Sequence, residues 1–304
     1  MGNRLSGPLA DVSGDAGYRE HPPRVGFFTD TSVCIGCKAC EVACKEWNGL
    51  PDTHTDVLSL TGMSYDNTEA LGANAWRHVA FIEQIGHRVP EGALGSAPAA
   101  GAPAMDGPAT GDASRWLMSS DVCKHCTHAA CLDVCPTGAL MRTEFGTVVV
   151  QPDVCNGCGY CIPACPFGVI DRREEDGRAW KCTLCYDRLS GGLEPACAKA
   201  CPTDSIQFGP VDELRERARQ RVEDLQDAGV AGAQLYLDDP GDGIGGGGAF
   251  FLLLDRPEVY GLPPDPVVTT RDLPRMWRHV AAAGAGLAVA ALAACLGRHS
   301  GGRA

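Results

Sequence analysis

Cys34-Ile35-Gly36-Cys37-Lys38-Ala39-Cys40-Glu41-Val42-Ala43-Cys44 sets four cysteines along one short stretch, and the device recurs three times further on. The recurrences are Cys123, Cys126, Cys131 and Cys135; Cys155, Cys158, Cys161 and Cys165; and Cys182, Cys185, Cys197 and Cys201. These runs take sixteen of the seventeen cysteines, and only Cys295 stands apart. A proline follows the last cysteine of three runs (Pro136, Pro166, Pro202), where it stops a helix and turns the chain away. Lys45 replaces it in the first. The residues beyond repeat as well: Pro136-Thr137-Gly138-Ala139-Leu140, Pro166-Phe167-Gly168-Val169-Ile170 and Pro202-Thr203-Asp204-Ser205-Ile206. The chain thus carries an internal duplication.

The first and third runs match C-x2-C-x2-C-x3-C, in which three close thiolates bind one iron–sulfur cubane and the fourth reaches a second cluster. The second run, C-x2-C-x4-C-x3-C, and the fourth, C-x2-C-x11-C-x3-C, keep the leading pair and the trailing spacing and lengthen the loop between. Three other uses of the cysteines fit less well. Disulfides serve small scaffolds short of core, and a chain of 304 residues can bury one. Structural zinc takes cysteines pairwise in a tetrahedron, whereas three thiolates within seven residues suit a cube. A three-iron cluster needs a missing ligand, and all sixteen positions are filled. The spacing predicts four [4Fe–4S] clusters.

With 44% hydrophobic and 21% charged residues the chain is globular, and its formal charge of −12 argues against nucleic acid, because acidic groups repel phosphates. Lys38, Lys124 and Lys181 lie within or beside the runs. Two readings of them stand: cations that offset cluster charge and help set potentials, or ordinary solvated lysines. His125 and His128 read as loop residues, since thiolates already fill the ligand set.

Residues 1–24, rich in Gly, Pro and charge and without an apolar core segment, read as a flexible tail and not a signal peptide. Val25–Asp30, Trp76–Ile82 and Thr147–Val150 read as strands. Residues 86–115, dominated by Ala, Gly and Pro, read as a solvated loop. A helix opens at Val211 with Asp212 as its cap, shows Val211, Leu214, Ala218, Val222 and Leu225 on one face, and ends near Gly229. Gln234–Leu237 and Phe250–Leu254 read as strands around the Gly-rich turn 241–248, which lacks the lysine of a phosphate-binding loop.

Val280–Gly297 is uncharged, flanked by Trp277, Arg278 and His279 before it and Arg298 and His299 after it. As a helix it spans roughly 27 Å, enough for a bilayer core. Gly284, Gly286 and Ala288 offer a small-residue face for packing within a membrane. The competing reading is a buried, alanine-rich soluble helix. Arginines on either side are too evenly shared to orient the span.

Taken together, these residues resemble the four-cluster iron–sulfur subunits of molybdopterin oxidoreductases, and within them the β subunit of membrane-bound respiratory formate dehydrogenase. Cys34–Cys40 with Cys44-Lys45-Glu46-Trp47-Asn48, and Lys181–Cys185 with Glu194-Pro195-Ala196-Cys197, carry the wider likeness. Pro257-Glu258-Val259-Tyr260-Gly261-Leu262-Pro263 and the single C-terminal anchor carry the narrower one, with the iron–sulfur subunit of a membrane-bound hydrogenase or other molybdopterin oxidoreductase, or a free-standing polyferredoxin, as the alternatives. The resemblance implies an α+β fold of two nested ferredoxin-like modules, each holding two [4Fe–4S] clusters, plus one C-terminal transmembrane helix. The outer module would comprise residues 25–85 and 176–270, the inner one 116–175, and the anchor and tail 271–304. Spacing leaves open which neighbour the third run pairs with. The resemblance implies the sets Cys34, Cys37, Cys40 with Cys201; Cys182, Cys185, Cys197 with Cys44; Cys123, Cys126, Cys131 with Cys165; and Cys155, Cys158, Cys161 with Cys135. It further implies electron transfer without an active site, a molybdenum- or tungsten-pterin catalytic partner, a membrane cytochrome b with quinone beyond it, and a soluble part exported folded with a partner bearing a twin-arginine signal.

Overall fold

Phe27 and Phe28 are both fully buried, on opposite faces of the strand that organises the fold. The computed structural model describes residues 11–51, 65–66, 68–84 and 115–300. The described residues open with a short helix, α1 (Val12–Asp15), then β1 (Val25–Asp30), α2 (Ala39–Asn48), β2 (Arg77–Gln84) and β3 (Arg115–Val122). Short elements follow: α3 (Ala130–Asp133), β4 (Leu140–Arg142), β5 (Val148–Val150), α4 (Cys161–Ala164), β6 (Asp171–Arg172), β7 (Ala179–Trp180), α5 (Tyr186–Ser190) and α6 (Ala196–Lys199). Then come β8 (Ile206–Pro210), α7 (Val211–Asp227), β9 (Gln234–Tyr236), β10 (Ala249–Leu253) and α8 (Leu273–Ser300).

Four strands form one sheet in the order β8-β1-β10-β9, with β1 antiparallel to β8 and parallel to β10. Strands from the start and the end of the chain therefore share a sheet. The ladders of the middle segment, β4–β5 and β6–β7, stay separate from it, as does β2–β3. Side chains alternate across a strand. Phe27 accordingly joins the cluster containing Cys40, Cys44, Cys182 and Cys197, while Phe28 stacks on Phe250 at 5.5 Å among Leu214 and Ala218. One face of the sheet meets the cysteines and the other an aliphatic core under α7. At Gly26 the Gly-rich turn presses so close that a Cβ would lie 1.9 Å from the Gly248 carbonyl oxygen, and only glycine fits.

The expected strands all form. Leu237, at φ 68°, closes β9 one residue early. On α7, Val211, Leu214, Ala218 and Leu225 are buried and Val222 packs against them half-buried, as the period requires. Asp212 does not cap it. The residue before the helix is Pro210, and Asp212 sits in the first turn, its side chain 96% exposed and paired with Arg215 at 3.3 Å. There its charge still favours the helix N-terminus.

The tail reading needs correction from Asp11 onward. The Asp11 side chain accepts from the backbone N–H groups of Ser13 and Gly14 and caps α1, Val12 and Ser13 are buried, and Tyr18 donates to the Arg142 carbonyl at 3.3 Å. Arg24 donates to Thr127 at 2.7 Å and to the His125 carbonyl at 2.8 Å. These anchors are polar and long-range, so composition alone hid them. Residues 1–10 lie outside the described residues. So does the 86–115 loop reading, apart from Arg115, which opens β3.

α8 stands clear of the body. The stretch Arg275–Cys295 has a mean hydropathy of 1.5 and no part of it buried, which contradicts the buried-helix reading. Just before it, Thr270 donates to Asp133 of α3 at 2.6 Å, fixing the base of the helix beside the second cysteine run.

Candidate metal centres

The four runs share a backbone device. The residue before the second cysteine has positive φ in each: Gly36 (64°), His125 (43°), Gly157 (72°) and Leu184 (57°). This left-handed turn lets two thiols three residues apart border one cavity. Glycine supplies it freely in two runs, whereas His125 and Leu184 adopt it against their intrinsic preference, as over-determined residues at functional sites do. A second left-handed residue follows each Cys-Pro: Gly138 (70°), Gly168 (62°) and Asp204 (52°). Where proline follows, α3, α4 and α6 end at or before the final cysteine of their runs. In the first run Lys45 permits α2 to continue through Cys44 to Asn48, whose side-chain amide donates to the Cys44 carbonyl at 2.7 Å and approaches Cys44 Sγ at 3.6 Å and Cys185 Sγ at 4.0 Å.

Three cavities are each walled by four thiols. One is bordered by Cys34, Cys37, Cys40 and Cys201. Another is bordered by Cys123, Cys126, Cys131 and Cys165, and a third by Cys135, Cys155, Cys158 and Cys161. The remaining four cysteines also meet: burial first, then the neighbouring Cys182, Cys197 and Cys185, push the Cys44 thiol well up. Each quartet draws cysteines from two runs.

Thiols of neighbouring quartets lie close enough to raise one another's pKa. Burial raises Cys40 to about 11 with Cys197 adding to it, Cys123 does the same to the buried Cys182, and Cys161 to Cys131, which reaches about 12. The order is therefore Cys34/Cys37/Cys40/Cys201, Cys44/Cys182/Cys185/Cys197, Cys123/Cys126/Cys131/Cys165, Cys135/Cys155/Cys158/Cys161. Cys37 and Cys158, one in each terminal quartet, are exposed.

Buried cations stand between these sites. Arg77, 2% exposed, donates from Nη2 to Cys197 Sγ at 3.2 Å and from Nη1 to the Ser120 carbonyl at 3.2 Å, and lies over the Phe27 ring. Burial alone would lower its pKa, but Cys197, Cys40, Cys182 and Cys44 outweigh that and raise it. Lys181, also 2% exposed, donates to the carbonyls of Cys182 (2.9 Å) and Val148, and the Cys123, Cys131 and Cys182 thiols hold its pKa up against burial. Lys124 is fully buried, ion-paired to Asp121 and set over the rings of Phe167 and Phe251. Of the two lysine readings, solvation is excluded for Lys124 and Lys181. Lys38 is half-buried and pairs with Glu41 at 3.3 Å. Arg77 was missed in the sequence because nothing near it repeats.

The donor set suits clusters of iron and sulfide: four soft thiols per site, fixed cations for the negative charge, and polar hydrogens around the sulfurs. Ser120 Oγ lies 3.2 Å from Cys40 Sγ, and the Ala179 N–H donates to Cys155 Sγ at 3.4 Å. At Cys135, burial is outweighed by the N–H groups of Leu140, Thr137 and Ala139 and the Thr137 hydroxyl, which hold the thiol below its usual value. Cys295 lies exposed on α8, away from every quartet.

Residues 33–139 and 114–211 each match the family described as 4Fe-4S dicluster domain, so the class is a ferredoxin-like protein of paired cubane sites. Over 280 residues the chain is 41% identical to the formate dehydrogenase iron-sulfur subunit of Haemophilus influenzae, covering 90% of this chain and 79% of that protein. The nitrate-inducible formate dehydrogenase iron-sulfur subunit of Escherichia coli is 40% identical over 83% of this chain and 76% of its own. The B subunit of that organism's anaerobic dimethyl sulfoxide reductase is 34% identical over 63% of this chain and 76% of its own. The chain belongs to the family of formate dehydrogenase iron–sulfur subunits.

Proposed function

We propose that this chain carries electrons from a formate-oxidising molybdenum- or tungsten-pterin subunit to a membrane cytochrome b and the quinone pool. It would do so with four [4Fe–4S] clusters and no active site of its own. The observation that carries the reading is the serial order of the four thiol quartets between two exposed cysteines, Cys37 and Cys158. When bound, a [4Fe–4S] cluster supplies one-electron redox chemistry at a potential tuned by charge, hydrogen bonds and burial.

The protein's own part is to hold sixteen thiols in place, most of them shielded from water and Cys37 and Cys158 exposed. Cys34, Cys37, Cys40 and Cys201 hold the first site, and Cys44, Cys182, Cys185 and Cys197 the second. Cys123, Cys126, Cys131 and Cys165 hold the third, and Cys135, Cys155, Cys158 and Cys161 the fourth. The outer module, residues 25–85 and 176–270, carries the first two sites, and the inner module, 116–175, nests within it with the others. Support for this comes from the shared β8-β1-β10-β9 sheet, whose strands lie on both sides of the inner segment in sequence.

An orientation with the third and fourth sites toward the membrane and cytochrome, and the first toward the pterin subunit, is supported by the Thr270–Asp133 hydrogen bond, which ties the base of α8 to α3, the helix that carries Cys131. α8 crosses the bilayer once through residues 280–297, and the soluble part lies on the outer face after export with its partner. Cys201→Ser tests the ligand sets: it should alter the EPR signal of the site held by Cys34, Cys37 and Cys40. A change confined to the site of Cys182, Cys185 and Cys197 would refute the crossed assignment.

A further inference from the structure

His125 is 1% exposed and held at φ 43° inside the loop from Cys123 to Cys126. Its backbone is fixed: the carbonyl accepts from Arg24 at 2.8 Å and from the Gly248 N–H at 3.2 Å. The ring is fixed too, because the Val148 N–H donates to Nδ1 at 3.1 Å. A nitrogen that accepts from an amide carries the lone pair, so the ring proton sits on Nε2. Among the described residues that N–H has no acceptor, although buried donors nearly always find one.

His125 lines the cavity walled by Cys123, Cys126, Cys131 and Cys165. Of the buried side chains left with an unpartnered polar atom among the described residues, only His125 borders one of the three thiol cavities. The corresponding residues of the other runs, Gly36, Gly157 and Leu184, have no side-chain donor. A buried side-chain donor at this position of the loop is therefore particular to this site.

We propose that the Nε2–H of His125 donates a hydrogen bond to the cluster held by Cys123, Cys126, Cys131 and Cys165 and stabilises its reduced form. The inference rests on the four-cluster reading. Reduction adds one negative charge to the cluster, and a fixed donor interacts more strongly with the more negative state. His125 is a cluster-tuning residue that leaves the thiolate ligand set unchanged.

The test uses the intact membrane complex. His125→Leu places at this position the residue that the fourth run already carries with positive φ. EPR-monitored potentiometry should find one midpoint of four lowered by at least about 59 mV, a tenfold loss in favour of reduction, with the other three unmoved. Four unmoved midpoints, with iron and sulfide content intact, would overturn the inference. Should the variant lose the cluster, unsubstituted complex labelled with ¹⁵N-histidine decides: pulsed EPR should detect histidine nitrogen coupled to one reduced cluster, a coupling retained in His128→Asn. Absence of that coupling would also overturn it. Fewer than four clusters in the unsubstituted complex would bring down the four-cluster reading and this inference with it.

Discussion

Arg77 Nη2 lies 3.2 Å from Cys197 Sγ, and through Nη1 the same guanidinium reaches Ser120, whose hydroxyl is 3.2 Å from Cys40 Sγ. One buried cation thus touches the second site directly and the first through Ser120. Its planar fork reaches both at once, which a lysine ammonium could not do. Removing the charge should make the added electron less favourable at two sites and leave the other two alone. Arg77→Gln is expected to lower two midpoints by roughly 59 mV or more, with Arg77→Lys intermediate, read by EPR potentiometry. A uniform shift of all four would contradict this local role.

Lys45 is the departure that lengthens α2. Lys45→Pro, which would make the first run end like the others, removes a helical hydrogen bond and disfavours the helical conformation of Cys44. The expected cost is about 3 kcal/mol, together with loss of the Asn48 contact to Cys44, seen as a lower melting temperature and reduced iron content. Wild-type stability in this variant would show that the continuation of α2 is incidental.

Two glycines with the same backbone hand should respond differently to alanine. At Gly168 (φ +62°) an added Cβ meets nothing within 4 Å, so the cost is the left-handed strain alone, about 1–2 kcal/mol, and iron content should hold. At Gly157 (φ +72°) the Cβ would sit 2.3 Å from the Gly177 carbonyl oxygen, a clash with backbone. Gly157→Ala should lose the fourth site, about a quarter of the iron. Equal iron in the two variants would refute the distinction.

Much of this was written in the sequence and some was not. The cysteine spacing marks the loops, and the apolar period of α7 marks its buried face, because both are local patterns. Gly36 and Gly157 announce the left-handed turn, whereas His125 and Leu184 adopt it with no residue signature, held by surroundings distant in sequence. The meeting of Cys201 with Cys34 was expected from family resemblance and not from spacing. Burial of Arg77 and Lys181 depends on which quartets become neighbours, a tertiary relationship that no window of sequence displays. The order of residues 11–24 rests on contacts such as Tyr18 with Arg142 and Arg24 with Thr127, equally invisible to composition.

Since Arg275–Cys295 of α8 shares no buried surface with the body, removing residues 271–304 should release the protein from membranes while its clusters remain. Fractionation with iron analysis checks this. Retention of the truncated chain in the membrane would mean that partner contacts, not α8, carry attachment.

The most direct measurement is low-temperature EPR of the anaerobically purified, detergent-solubilised complex, with formate compared against dithionite. The account predicts that formate alone gives reduced [4Fe–4S] signals. Reduction by dithionite but not by formate would contradict the assignment to a formate-oxidising partner.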